Sequence, residues 1–402
     1  MPSKGEAMSS LQHQVVVVGG GPTGLLTALG LARKGIDVLV LEADAAINRS
    51  PRALTYMPPV LDVLDEFGVL EAARAVAHQC GRVEWAFADS GAVHEVDVAV
   101  LKDDVRFPFN LHMGQDTLAD VILTALERQP TATVRWNTPL TDLTQDAYGV
   151  TLTIGDAGKT IRAAWVVGAD GARSAIRQRL GIAFEGFTWP DRYVAVNVEH
   201  DFTANGIGDA RFVLDPENWA LICRIDQGPL WRVTYGEPAD LPVETTLDRA
   251  RERLRHWTQA DGVKIVHSSP YRVHERSAER YREGRVLLAG DAAHIVNPLG
   301  GQGLTAGILD AGMLVHALGG VIAGTYPDEA LDHYARERRT MVTQRSMGMS
   351  KNTKRLVQEA DPAQRRADEA MLAQARDPEV MRQRMLGMMA IAGERYTPLP
   401  AA

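Results

Sequence analysis

Six consecutive residues near the start of the chain, Gly19-Gly20-Gly21-Pro22-Thr23-Gly24, have the types and spacing to receive a phosphate. Gly19 permits a tight turn, Gly21 lets the backbone approach a pyrophosphate, and Gly24 lets the following helix pack close to its strand. Pro22 suits a first helical turn, where its missing N–H has no intrahelical partner to lose. The amides of that turn, with the positive end of the helix dipole, then face the phosphates. Eighteen residues after Gly24 comes Glu42, at the end of the strand-like run Asp37–Leu41, where a carboxylate can accept hydrogen bonds from a ribose diol. A glycine triad alone is a weak signal. Strand, turn, helix, strand and acid in that order make a dinucleotide site, which fits NAD and FAD equally well.

Two later clusters repeat the punctuation: Gly168-Ala-Asp170-Gly171-Ala-Arg173-Ser174, and Gly290-Asp291-Ala-Ala-His294 running on to Asn297-Pro298-Leu-Gly300-Gly301-Gln302-Gly303. Each follows an apolar run, Trp165–Val167 and Val286–Ala289, as Val15–Val18 precedes the first cluster. Short apolar runs of this kind suit strands of a parallel sheet buried on both faces, and each cluster reads as opening a helix. The turn Pro298–Gly303 precedes the apolar stretch Leu304–Leu318, a helix start that directs amides and positive potential at whatever lies before it. A cap of that helix or of the one after Gly171 is the plainer role for Asp170 and Asp291.

Between the second and third clusters the texture changes. Tyr193–His200, Arg211–Asp215, Trp219–Asp226 and Leu230–Tyr235 are short, aromatic and β-branched with polar turns between them, which predicts an antiparallel sheet; Gly81–Phe109 is a second strand-rich piece. After Tyr326 the chain is Ala/Arg/Glu/Met/Gln-rich and predicted helical to near Tyr396. The fold class is therefore α/β: a Rossmann-like dinucleotide domain, discontinuous over 13–80, 110–180 and 281–325, with an inserted, mainly antiparallel substrate domain over 81–109 and 181–280 and a helical region over 326–402.

Composition narrows the function classes. A formal net charge of -8 argues against nucleic acid as the main partner. Arg336–Arg355 carries seven Lys/Arg against one Glu and reads as a solvated helix face. No window approaches an uninterrupted apolar span; Ala306–Gly324 holds Asp310 and His316 and reads as a core helix, so no membrane is expected. Two cysteines, Cys80 and Cys223, allow neither a disulfide framework nor a cysteine-rich metal site, which fits a reducing cytoplasm. Met1–His13 reads as a loose leader, with Met8 a candidate start. No metal ligand set and no Ser–His–Asp arrangement stands out.

The three clusters, in this order and at these separations, closely resemble the signatures of the single-component (class A) FAD-dependent aromatic monooxygenases of the para-hydroxybenzoate hydroxylase family, over roughly Val15 to Gly320. The resemblance implies FAD as cofactor, NADPH or NADH as reductant, O2 as co-substrate, and a small phenolic or polycyclic aromatic substrate hydroxylated through a flavin C4a-hydroperoxide. It implies that Gly19, Gly21, Thr23 and Gly24 hold the pyrophosphate, and that Glu42 holds the ribose. Arg52 would lie along the cofactor near its pyrophosphate and ring, and Gln115, in Met113-Gly-Gln115, would contact the cofactor backbone. Leu140 would touch the adenine through its own backbone. Asp170 would support FAD and the passing nicotinamide nucleotide, Asp291 the ribityl chain, and Gly301, Gly303 and Leu304 the pyrimidine edge of the flavin. The carbonyl of Pro298 would neighbour the reacting oxygen. A monomer or a homodimer is expected, with neither nucleic acid nor membrane as partner.

In the predicted strand Trp219–Asp226, alternation sets Trp219, Leu221, Cys223 and Ile225 on one face, with Cys223 and Ile225 where the benzoate hydroxylases carry carboxylate-binding groups; the expected ligand is accordingly less polar. Tyr235, on the alternating face Trp231, Val233, Tyr235, is the candidate to reach a substrate hydroxyl, although a sheet tyrosine more often packs with its OH satisfied. His294 and the methionines 381, 385, 388 and 389 read as structural. Other readings stay open: an FAD-dependent epoxidase, Baeyer–Villiger-type oxygenase or reductase on a non-aromatic substrate, a flavoprotein isomerase or cyclase, or a non-catalytic redox sensor. A halogenase is disfavoured because no Trp-x-Trp-x-Ile-Pro segment occurs.

Overall fold

The computed structural model describes residues 11–50, 53–155, 157–260 and 262–398. The expected leader up to residue 10 and Arg52 lie outside them.

The run His13–Val18 is buried on both sides because it is the middle of a sheet. Its odd residues Val15 and Val17 pack into a core shared with the helices Pro22–Arg33 and Gln302–Ile322, and its even residues Val16 and Val18 into a second core with the strands Val150–Ile154 and Lys159–Gly168. Across the sheet the order is Ala132–Arg135, Val38–Leu41, His13–Val18, Lys159–Gly168, Val286–Leu288, with parallel pairing throughout and the short strand Arg282–Glu283 antiparallel at one edge. From His13–Val18 the chain steps to one side for Val38–Leu41 and returns to the other for Lys159–Gly168. That reversal leaves a crevice at the carboxyl ends of the strands, the place where such sheets bind ligands.

A second eight-stranded sheet runs His294–Ile295, Lys264–Ala278, Phe184–Glu199, Leu230–Pro238, Ala220–Arg224, Ala210–Leu214, Arg82–Phe87, Val93–Asp97. All neighbours are antiparallel except Ala210–Leu214 against Arg82–Phe87. The fifteen-residue strand Lys264–Ala278 has no alternation strong enough to announce it in the sequence. The edge strand His294–Ile295 belongs to the Gly290-Asp291 cluster, so this sheet and the dinucleotide sheet are joined through that loop. Gly290–Ala292 accordingly forms a short 3-10 turn leading into the edge strand, and the helix expected directly after it begins only at Gln302. A small third sheet joins Thr55–Tyr56, Asn110–His112 and His78–Cys80.

The helix Gln302–Ile322 is long and apolar enough to cross a membrane, yet it is mostly buried inside the protein as the core helix that Asp310 suggested. Beyond it come helices Glu329–Met341, Met347–Gln358, Pro362–Ala373 and Pro378–Met389, the first two joined by a π-turn at Val342–Ser346. The basic stretch Arg336–Arg355 is not simply a solvated face. Arg338 is fully buried, and Lys354 pairs with Asp191 on the antiparallel sheet.

Candidate active site

A cavity of about 1260 Å³ opens at the crevice and extends between the two sheets. A typical small-molecule pocket holds about 300–1,000 Å³, so this one has room for a large cofactor and a second ligand. Two helices begin at its wall. Pro22–Arg33 starts from Gly21 and Gln302–Ile322 from Gly301, and neither has a side-chain cap or an acidic residue in its first turn. Their first amides and positive dipole ends are thus offered to whatever anion the cavity receives.

The cavity fits a dinucleotide at the atoms where one would press hardest. A Cβ built on Gly21 meets nothing within 4 Å, so the backbone there is bare toward the cavity. Gly19, at φ +114°, and Gly24 have no such room, since a Cβ would come to 2.2 Å from the Ala169 carbonyl and 2.0 Å from the Gly19 carbonyl respectively. Gly24 therefore lies behind the wall and fixes the packing of helix on strand. Glu42 lines the cavity with its carboxylate held in place, accepting hydrogen bonds from the Gly20 and Asp44 amides. Asp170 serves two ends. Oδ2 accepts from the Ile176 amide at 3.1 Å, beside the Ser174 cap, while Oδ1 is buried without a partner among the described residues. Burial raises the Asp170 pKa above the usual carboxylate range. A buried acceptor left unpaired is costly, and a hydroxyl-rich ligand removes that cost.

Thr23, Gln115, Leu140, Asp291, Pro298, Gly301, Gly303 and Leu304 line the same cavity. Residues far apart in sequence, from Gly19 to Leu304, are thus brought together. The Pro298 carbonyl also accepts the Gly301 amide at 3.0 Å, which closes the turn before the long helix. Behind Asp291 lies a fully buried ionic network: His294 Nε2 is 2.6 Å and the Gly290 amide 2.9 Å from Asp310 Oδ2, and Arg338 Nε is 2.8 Å from Asp310 Oδ1. Arg338 also donates to the carbonyls of Ile391 and Ala392. His294 and Arg338 hold the Asp310 carboxyl down at about 2 against the opposing effect of burial. One charge therefore ties the Gly290-Asp291 turn to the long helix and to the end of the chain.

On the opposite wall stand Val83, Trp85, Phe212, Leu221, Cys223 and Thr234, with Trp85 and Phe212 stacked at 4.3 Å. The pairing Leu221 with Thr234 and Cys223 with Arg232 puts these four on one face. Trp219 and Ile225 were expected to share the wall. Trp219 does share the face of Leu221 and Phe212 and packs on Tyr193, which itself lines the cavity, whereas Ile225 lies past the strand end, outside the cavity lining. Tyr235 also requires correction as a catalytic candidate. With Trp231 and Val233 it faces the opposite side of the sheet, against helix Thr246–Thr258, where its ring lies 5.9 Å from Trp257 and 4.8 Å from the Arg253 guanidinium. Its buried hydroxyl has no hydrogen-bond partner among the described residues.

Sequence reasoning missed two groups. Asn110 and His112 face the cavity from the small third sheet; their polar alternation just before Gln115 was the available signal. The methionines 381, 385, 388 and 389 line the cavity rather than only filling a core, along with Met349 and Met371. Flexible thioethers suit a wall that must adapt to an aromatic guest. Cys223 is buried and its thiol is pushed up by desolvation, so it stands as a neutral apolar wall group.

The comparisons with known proteins agree with this geometry. Residues 12–348 match the FAD binding domain family. Para-nitrophenol 4-monooxygenase of Pseudomonas sp. strain WBC-3 is 41% identical over 388 residues, covering 95% of this chain and 96% of that one. The 6-hydroxy-3-succinoylpyridine 3-monooxygenase of Pseudomonas putida strain S16 is 40% identical over 334 residues, covering 82% of this chain and 85% of that one. The crystal structure of p-nitrophenol 4-monooxygenase from Pseudomonas putida DLL-E4 superposes with a TM-score of 0.91 at 40% identity, covering 96% and 99% of the two chains. The chain belongs to the class A flavin monooxygenases, and it is an FAD-dependent aromatic hydroxylase.

Proposed function

We propose that the enzyme hydroxylates a small phenol without an acid group, of the para-nitrophenol type, using NADH or NADPH and O2 in a reducing cytoplasm. The observation that carries this reading is the uncharged wall Val83, Trp85, Phe212, Leu221, Cys223, which faces the glycine-rich cofactor wall across one cavity. Burying a carboxylate there without a partner costs several kcal/mol, enough to remove most binding. The extent of the likeness to para-nitrophenol 4-monooxygenase supports it.

FAD, when bound, supplies hydride acceptance from the nicotinamide and activation of O2. The chain's own residues supply the rest. The amides after Gly21, with Gly19 and Thr23, take the pyrophosphate, and Glu42 takes the ribose diol. Gln115 and the Leu140 backbone flank the nucleotide, and Asp170 and Asp291 accept from sugar and ribityl hydroxyls. The start of helix Gln302–Ile322, at Gly301, Gly303 and Leu304, stabilises negative charge placed before it. Trp85 and Phe212 orient the substrate ring and, with the methionine wall, keep water from the reacting face.

A second reading has its own observation. Arg232, the buried register partner of Cys223, lies on the same face of the sheet, and the succinoylpyridine relative acts on a substrate with an acidic side chain. Matched pairs decide between them. NAD(P)H consumption and peroxide release are followed on the FAD-loaded enzyme with para-nitrophenol, other para-substituted phenols and their carboxylated counterparts. Faster, well-coupled turnover of the neutral member supports the first reading; preference for the acid supports the second; stimulation by neither sinks both.

A further inference from the structure

We propose that His112, through Nε2, accepts the hydrogen bond of the substrate's ring hydroxyl and takes its proton, with the Asn110 amide as the second polar contact. The proposal rests on the phenol reading above and adds which side chains recognise the phenol.

The two residues sit at i and i+2 of the strand Asn110–His112, so their side chains leave the same face, and both reach the cavity. Asn110 Oδ1 is buried with no hydrogen-bond partner among the described residues. His112 is 1% exposed, and its Nδ1 lies 3.0 Å from the Arg224 carbonyl. A carbonyl can only accept, so Nδ1 carries the proton and the neutral ring presents a bare lone pair at Nε2. That one bond is the ring's only hydrogen bond among the described residues. The groups around the ring fix its charge. Burial pushes its pKa down to about 4, His78 at 6.4 Å adds to this, and the Arg224 carbonyl and Asp209 oppose it. Asp209 in turn lies 2.9 Å from His78 Nε2. The result is a neutral acceptor beside the Asn110 amide, which selects a donor such as a phenolic O–H.

The proton balance is simple. As oxygen is added to the ring, the phenolic O–H bond breaks and an N–H bond forms at His112 Nε2. The electron pair stays on the substrate oxygen, where it raises the electron density of the ring. The imidazolium formed is neighboured by the His78–Asp209 pair.

The test compares para-nitrophenol with para-nitroanisole, whose ether oxygen has no proton to donate, as ligands of the FAD-loaded enzyme. In the wild type the anisole should bind roughly tenfold to a hundredfold more weakly. In His112→Phe and His112→Gln the phenol should weaken to the level of the anisole, with flavin content retained. The acid limb of the kcat/KM profile should disappear in both variants, a change that mere packing would not produce. Equal binding of phenol and anisole in the wild type overturns the proposal, even if the variants fold poorly. So does an unchanged acid limb in flavin-loaded variants. If no phenol stimulates NAD(P)H oxidation in the wild type, the phenol reading itself has failed, and that result comes from the unmutated enzyme.

Discussion

The two walls of the cavity are built from different parts of the chain. On the cofactor side the surface is backbone: Gly19, Gly21, Gly301 and two uncapped helix starts, with a few carboxylates between them. On the side proposed above for the substrate it is side chains: Trp85, Phe212, Leu221 and Cys223 on one sheet and Asn110 and His112 on another, while the reverse face of the larger sheet is filled by Trp231, Val233 and Tyr235. A backbone surface tolerates no Cβ where the ligand or a neighbouring strand must come close, so residue type alone marks it. A side-chain surface is marked only by which way each residue points, and a slip of one position reverses that.

The contrast is broken or sharpened most strongly at two neighbouring glycines. Gly19→Ala puts a Cβ 2.2 Å from the Ala169 carbonyl at a left-handed φ, and should cost about 3 kcal/mol or more of stability even without FAD. Gly21→Val adds its side chain to open space at φ -75°, and should leave the apoprotein's Tm within about 1 °C while weakening FAD by roughly a hundredfold or more. Calorimetry of the apoproteins and flavin titration separate the two. Equal loss of stability in both would mean that Gly21 is a packing residue.

The next effect tests whether the walls are mechanically joined. Asp310→Asn leaves Arg338 and His294 buried without their counter-charge and should destabilise by about 3–5 kcal/mol in denaturant titration. Because the Gly290 amide also binds Asp310, FAD affinity should fall with it. A stable variant with weakened FAD would assign the network to the turn alone.

A smaller effect belongs to the substrate wall and depends on pH. The unfolded chain protonates His112 near 6.5, the folded one only near 4. Between these values the unfolded state binds more protons, so stability falls as pH drops from about 6.5 to 4, by about 3 kcal/mol at most from this residue. His112→Phe should flatten the corresponding part of the stability profile; an unaltered slope would mean that the ring is not buried neutral.

The smallest effect is expected at Tyr235. Its hydroxyl is buried, unpaired and on the far face, so Tyr235→Phe should change stability by less than about 0.5 kcal/mol and kcat/KM by less than about twofold. A large kinetic loss would turn the sheet over and restore it as a substrate contact.

Much of the fold was written locally. The valine run before Gly19 needed both faces buried, Glu42 closed the nucleotide unit, and the short aromatic runs after Tyr193 announced antiparallel strands. The strand Lys264–Ala278 escaped because it crosses two surroundings along its length, so no single alternation runs through it. His112 escapes because its alternation with Asn110 spans only a three-residue strand, too short to stand out, and the facing of Tyr235 depends on partner strands that the local sequence does not name.

By itself the sequence determined where the backbone had to be bare, turned or left-handed, since those demands are met by glycine and by little else. It thereby determined a dinucleotide cleft, and the order of the three glycine-rich clusters carried the resemblance that narrowed the cofactor to FAD. Only the tertiary structure decided which way the inserted sheet faces, that the C-terminal methionines close on the same cavity, and that Asn110 and His112 line it as well. The facing of a strand is set by pairing with strands more than a hundred residues away in the chain. Local residue order is consistent with either face until that register is fixed.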